Sequence, residues 1–241
     1  MARELADVLH YFLDDEAAAA APSRCLALLA EPDELLGTAL LWNLGHELTR
    51  RGLSVAWVSA LSDEELLPSE ATGVLPRLLT PVDDLDALAA AVREAGSKAG
   101  GRQPPQLVLT RVPPSWLAAS PRGTELLDWA LLLTGPDADQ RTEARVRLRC
   151  VAEAHPAARI GVTLHGVRSV AEAESAFTTL AHELRRHGPT PWSYGLLFEE
   201  HLLYDALLRR RPLTHHRPES RAAEAPRDVA RLLHEDLRDV D

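Results

Sequence analysis

Lysine is nearly missing from this chain. Lys98 is the single one in 241 residues, and every other basic side chain is arginine or histidine. Chemistry that depends on a lysine ammonium therefore uses Lys98 or does not occur here. Cysteine is scarce too: Cys25 and Cys150 lie far apart in apolar surroundings, which argues against a disulfide framework or a cysteine-rich zinc site. Basic residues number 26 against 36 acidic ones, for a formal charge of -10 and a pI near 5.5. That balance disfavours nonspecific binding to nucleic acid or to anionic membranes as the main task. No apolar run reaches membrane-spanning length, and the N-terminus lacks the basic-then-apolar pattern of a signal peptide. A cytoplasmic, bacterial-type protein is expected. No repeat of fixed period is present.

What the chain does have is hydrophobic mass: 46% of residues are hydrophobic and 26% charged, enough for a sizeable core. Residues 3–13 predict a short amphipathic helix, with Leu5, Val8, Leu9, Phe12 and Leu13 on one stripe. A linker with five consecutive alanines follows up to Pro22. Residues 1–22 are therefore expected to stand apart from one domain over 23–241. Within that domain, short apolar runs alternate with helical patterns. Strands are predicted at 24–30, 54–60, 106–110, 127–134, 159–164 and 193–199. Helices are predicted at 34–51, 83–95, 137–154, 169–187, 201–210 and 220–237, the first ending at Gly52. This alternation predicts a three-layer α/β fold, a mostly parallel sheet of about six to eight strands with helices on both faces.

In such a sheet the turn after the first strand is the usual phosphate cradle, since it feeds a helix N-terminus with free N–H groups. Here it reads Ala30-Glu-Pro-Asp-Glu-Leu-Leu-Gly-Thr38. Glu31, Asp33 and Glu34 bring negative charge, Pro32 removes an N–H donor, and Gly37 is the only glycine. A triphosphate would meet like charge and side-chain bulk.

Beyond that turn the chain resembles the MinD/ParA-type ATPases. Asn43-Leu44 and Arg50-Arg51-Gly52 match the family's helix and helix end. Val112-Pro113-Pro114 resembles its Thr-Pro-Pro, and Leu132–Asp137 its Thr-Thr-Pro-Glu turn. Gly161–Ser169 resembles its strand ending in Asn-Arg-Val, and Arg211-Pro212-Leu213 its Arg-Pro-Val. The ordered set spans roughly residues 24–237 and is most similar to the flagellar-number regulators of the FlhG/FleN type.

The departures fall on the chemistry. The family's Lys-Gly-Gly-x-Gly-Lys-[Ser/Thr] loop lies over Pro32, Asp33, Glu34, Leu35, Leu36, Gly37 and Thr38, where only Thr38, the magnesium-side hydroxyl, survives. The Asp-x-Asp after the second strand falls on Ser59 and Leu61. The metal-side Asp falls on Arg111, and the adenine-reading Asn on His165, followed by Gly166. The resemblance with these losses implies a pseudo-ATPase with no catalytic residues, no cofactor and no metal. Its implied role is a regulatory or scaffolding one in bacterial cell organisation, flagellar placement or number control first. The implied partner is a protein, either an active paralogous ATPase or a flagellar or polar regulator. No nucleic acid and no stable membrane anchor are expected, and the chain would be a monomer or a nucleotide-independent dimer. A divergent nucleotide-binding ATPase stays open as an alternative, as does an accessory subunit of a secretion or polysaccharide-export assembly of the cellulose-synthesis type.

Other candidates are weaker. Gly96–Gly101 holds Lys98 but precedes a strand instead of opening a helix, so it reads as a connection. The histidines show no zinc spacing: His182 and His187 are five apart, and His215 and His216 are adjacent. Glu199-Glu200 reads as a solvated strand end, and most of the tryptophans as core. The N-terminal stripe is either docked on its own domain or free for a partner. The last helix, with Val229, Leu232, Leu233 and Leu237 on one face and an acidic tail, is predicted to pack on the domain, not on anionic lipid.

Overall fold

The computed structural model describes residues 23–31, 34–60, 77–80, 82–97, 105–118, 122–185 and 190–238. Pro32, Asp33, Leu61, Lys98 and the N-terminal stripe lie outside the described residues. Seven strands form one parallel sheet: β1 (Arg24–Leu29), β2 (Val55–Ala60), β3 (Arg77–Thr80), β4 (Leu107–Val112), β5 (Trp129–Thr134), β6 (Arg159–His165) and β7 (Trp192–Leu197), in the order β3-β2-β4-β1-β5-β6-β7. β1, apolar except for Arg24, lies at the centre between β4 and β5, with Leu28 in register with Arg111. Crossovers diverge on its two sides, which makes the C-terminal end of β1 the switch point where open sheets bind ligands.

The helices are α1 (Leu35–Arg50), α2 (Leu85–Ser97), α3 (Pro114–Leu117), α4 (Ala138–Ala154), α5 (Val170–Leu184), α6 (His201–Leu208), α7 (Leu213–His216) and α8 (Arg221–Arg238). They cover both faces of the sheet. One core is built from the sheet with α1, α6 and α8, the other from the sheet with α2, α4 and α5. α1 is buried on every side from Leu36 to Leu48, because it is wedged between the sheet and α6 and α8. Its buried residues include Thr38, Asn43, His46 and Glu47 among the apolar ones. α8 turns Val229, Leu233 and Leu237 into that core, with Leu232 packed beside them. Its apolar face is consumed inside the domain, as the stripe predicts. Tyr194 ties it down: its hydroxyl donates to Asp236 and accepts from Trp129 Nε1 at 3.2 Å. Burial and the Asp236 carboxylate push the Tyr194 phenol above its ordinary pKa. Among the described residues no helix is long and apolar enough to cross a membrane.

Two expectations change. β3 was not predicted; only Leu78 and Leu79 are apolar in it, too short a run to show a period. Leu127 and Asp128, expected to open a strand, belong instead to a 3-10 turn over Thr124–Asp128 that follows Gly123 at φ 72°. Most of the tryptophans are core, as expected; Trp192, 62% exposed on the edge strand β7, is the exception. The four other tryptophans are buried or packed against a core.

Candidate functional site

The turn between β1 and α1 sits at the switch point. Gly37 allows α1 to press on the strand it follows. A Cβ there would lie 2.8 Å from Leu28 Cδ2 and 3.0 Å from Ala30 Cβ. Strand, turn and helix thus follow in close succession at the end of the sheet where ligands bind in open α/β folds. Glu31 N donates to Glu34 Oε1 at 3.3 Å, and Glu34 N to the Glu31 carbonyl at 3.0 Å. The backbone donors of both residues are used within the turn.

The two carboxylates are also engaged. Glu31 accepts from the backbone N and the hydroxyl of Ser115 in α3, each at 3.0 Å. Glu34 receives both arms of the Arg147 guanidinium from α4, at 2.5 and 3.1 Å. Arg147 Nη2 also reaches Glu143 at 2.6 Å. Burial lowers the Arg147 pKa, but its bonds to Glu34 and Glu143 outweigh this and hold it above the ordinary value.

Behind the turn lies a buried polar contact. Thr38, 1% exposed, accepts a hydrogen bond at 2.9 Å from Nη1 of Arg111, 6% exposed. The register that sets Arg111 beside Leu28 aims the guanidinium at the first turn of α1. A buried cation therefore sits on the Thr38 hydroxyl.

At the end of β6, His165 Nδ1 lies 2.9 Å from Glu200 Oε2. Together these groups border an open cleft of about 710 Å³. Its wall carries four carboxylates, Glu31, Glu34, Glu143 and Glu200, against Arg147 and His165. The structure thus brings Glu31, Glu34, Gly37 and His165 to one cleft, with Thr38 and Arg111 paired at its back. Ser59 is buried at the end of β2 and does not line the cleft. Arg147, Glu143 and Ser115 were not singled out by the sequence. The spacing Glu143–Arg147 signals an i,i+4 pair, but not that Arg147 also reaches Glu34. Glu200 is no simple solvated strand end, since it holds His165. Among the described residues no group of three His, Cys, Asp or Glu could hold a metal ion.

Neither a protein-family model nor a curated protein sequence matches this chain. Solved structures do. The MinD cell division protein of Aquifex aeolicus superposes with a TM-score of 0.62 at 16% identity, over 88% of this chain and 97% of that one. A ParA family ATPase from Chlorobium tepidum gives 0.57 at 14% identity, over 87% and 98%. A plasmid partition protein of Borrelia burgdorferi bound to AMPPNP gives 0.57 at 7% identity, over 89% and 99%. At these identities the likeness is one of fold: the chain has the three-layer α/β architecture of MinD/ParA-type P-loop ATPases.

Proposed function

We propose that this chain is a catalytically inactive MinD/ParA-like protein, acting in the cytoplasm as a regulatory or scaffolding partner in bacterial cell organisation, flagellar placement or number control first. The observation that carries the reading is the Arg111–Thr38 hydrogen bond. On this reading Thr38 is the hydroxyl that would face a divalent cation; a guanidinium is bonded to it, and two positive charges do not share one hydroxyl. The acidic cleft adds to this. A triphosphate would meet four carboxylates and a single guanidinium, itself committed to Glu34 and Glu143. The described residues therefore do not fit magnesium and a nucleoside triphosphate. Phosphoryl transfer relies on cations that neutralise the transferred group, and the cations here are bound to protein groups instead.

The partner is a protein. MinD of Aquifex aeolicus has been solved in complex with MinC, and that complex matches this chain with a TM-score of 0.64 at 16% identity. Without a nucleotide to gate assembly, association would be constitutive, as a monomer bound to its partner or as a nucleotide-independent dimer. The second reading, a divergent ATPase, draws on the cleft itself. It is roomy and lies at the same strand ends where folds of this kind bind ligands. Calorimetric titration of the full chain with ATP, ADP and GTP in the presence of magnesium separates the two. The first reading expects no binding; micromolar affinity for any of them establishes the second.

A further inference from the structure

We propose that the amphipathic N-terminal segment, residues 3–13, docks in cis on an apolar groove at the base of the sheet, at the opposite end from the cleft. The groove lies at the N-terminal ends of β1, β5 and β6, beside the second half of α2, with a volume of about 720 Å³. Its lining is mostly apolar, from Cys25, Val92, Leu126 and Trp129 among others. It shares no residue with the cleft, so this inference stands independently of the functional reading above.

Three observations select that occupant. The first is connectivity. Ser23 is part of the groove wall, its hydroxyl donating to the Gly96 carbonyl at 3.0 Å. The segment before it therefore joins the domain at the groove itself. Residues 14–22 reach about 30 Å when extended, and an eleven-residue helix is about 17 Å long, so the stripe can cover the groove without strain.

The second is chemistry. A stripe of Leu5, Val8, Leu9, Phe12 and Leu13 needs apolar surface to leave water. The groove supplies it.

The third is charge. Residues 3–16 carry Glu4, Asp7, Asp14, Asp15 and Glu16 against Arg3 alone. The groove carries Arg24, Arg93 and Arg159 against Glu125 and Asp128. Arg93 pairs with Glu125 at 3.6 Å, so in a chain of net charge -10 the acidic segment meets a wall with one basic residue in excess where it enters the fold.

The test uses the thiol in that wall. The full-length chain is treated with a small thiol reagent, and the modification of Cys25 and Cys150 is followed separately by peptide mass spectrometry. Cys150, on α4, serves as internal reference. In the Leu9→Asp, Phe12→Asp double variant the Cys25 rate should rise at least tenfold over the parent, with Cys150 unchanged and no dependence on protein concentration. A thermal melt checks that the variant keeps its fold. In the parent chain the backbone amides of residues 5–13 should exchange with deuterium at least tenfold more slowly than an unstructured chain. An unchanged Cys25 rate in the folded variant overturns the proposal, as does unprotected exchange of those amides in the parent. A rise that depends on protein concentration assigns the groove to the segment of a second copy and overturns docking in cis.

Discussion

α1 and the turn that leads into it are contiguous in sequence and are built on different terms. α1 is held by burial. From Leu36 to Leu48 its side chains are inside the protein, and its polar groups are placed to support packing. Asn43 Nδ2 donates to the Ala39 carbonyl at 2.8 Å, while its Oδ1 accepts from Leu213 N at 2.7 Å and fixes α7. Glu47, fully buried, is matched by Arg50 at 2.8 Å. The turn is held by charge at the rim of a cleft, through Arg147, Glu34 and Ser115. The comparison teaches that α1 is fixed by burial, whereas the turn before it is fixed by charged and polar side chains that reach it from α3 and α4.

Substitutions should therefore separate the two regions. The largest effect is expected inside α1. Leu44 has no exposed surface, and Leu44→Ala should cost about 2–5 kcal/mol of unfolding free energy by chemical denaturation. A loss below about 1 kcal/mol would mean that α1 is less tightly packed than its burial implies.

His46 comes next. Burial first, then the nearby His215, lowers its pKa from 6.5 to about 4. Its Nε2 has no hydrogen-bond partner among the described residues. Between those two pH values the unfolded chain binds the proton and the folded chain does not. Stability should fall as pH drops from about 6.5 towards 4, by roughly 2 kcal/mol. His46→Phe should flatten that part of the pH profile, and an unaltered profile would refute the assignment. Asn43→Ala leaves the Leu213 N–H buried without its acceptor and should cost about 1–3 kcal/mol. Asn43→Asp, which keeps an acceptor, should recover part of the loss.

The smallest effect is expected at the turn. A double-mutant cycle on Glu34 and Arg147 should give a coupling of about 1 kcal/mol or less, because the pair borders an open cleft. A coupling as large as the Leu44 effect would erase the distinction between the regions.

The parts of this arrangement that could be read from the sequence are those with a period. β1 and β5 are apolar except for one end residue each, Arg24 and Thr134, as central parallel strands are. α1 ends at a glycine, Gly52, at φ 90°. β3 escaped because four residues on the sheet edge, two of them leucine, carry too little pattern. In the site, Glu31, Glu34, Arg111 and His165 were each visible singly in the sequence. Their pairing was not. Arg111 meets Thr38 across 73 residues and Arg147 meets Glu34 across 113, contacts created by strand order and helix placement. Along the chain Arg111 is one polar residue in a strand; in the fold it is a cation delivered to the Thr38 hydroxyl.

That hydroxyl is the place to look. A crystal of the full chain grown with a non-hydrolysable ATP analogue and magnesium should show Arg111 still bonded to Thr38 and no triphosphate density in the cleft. Triphosphate density against Gly37 and Thr38, with the guanidinium swung aside, would contradict the account at its centre.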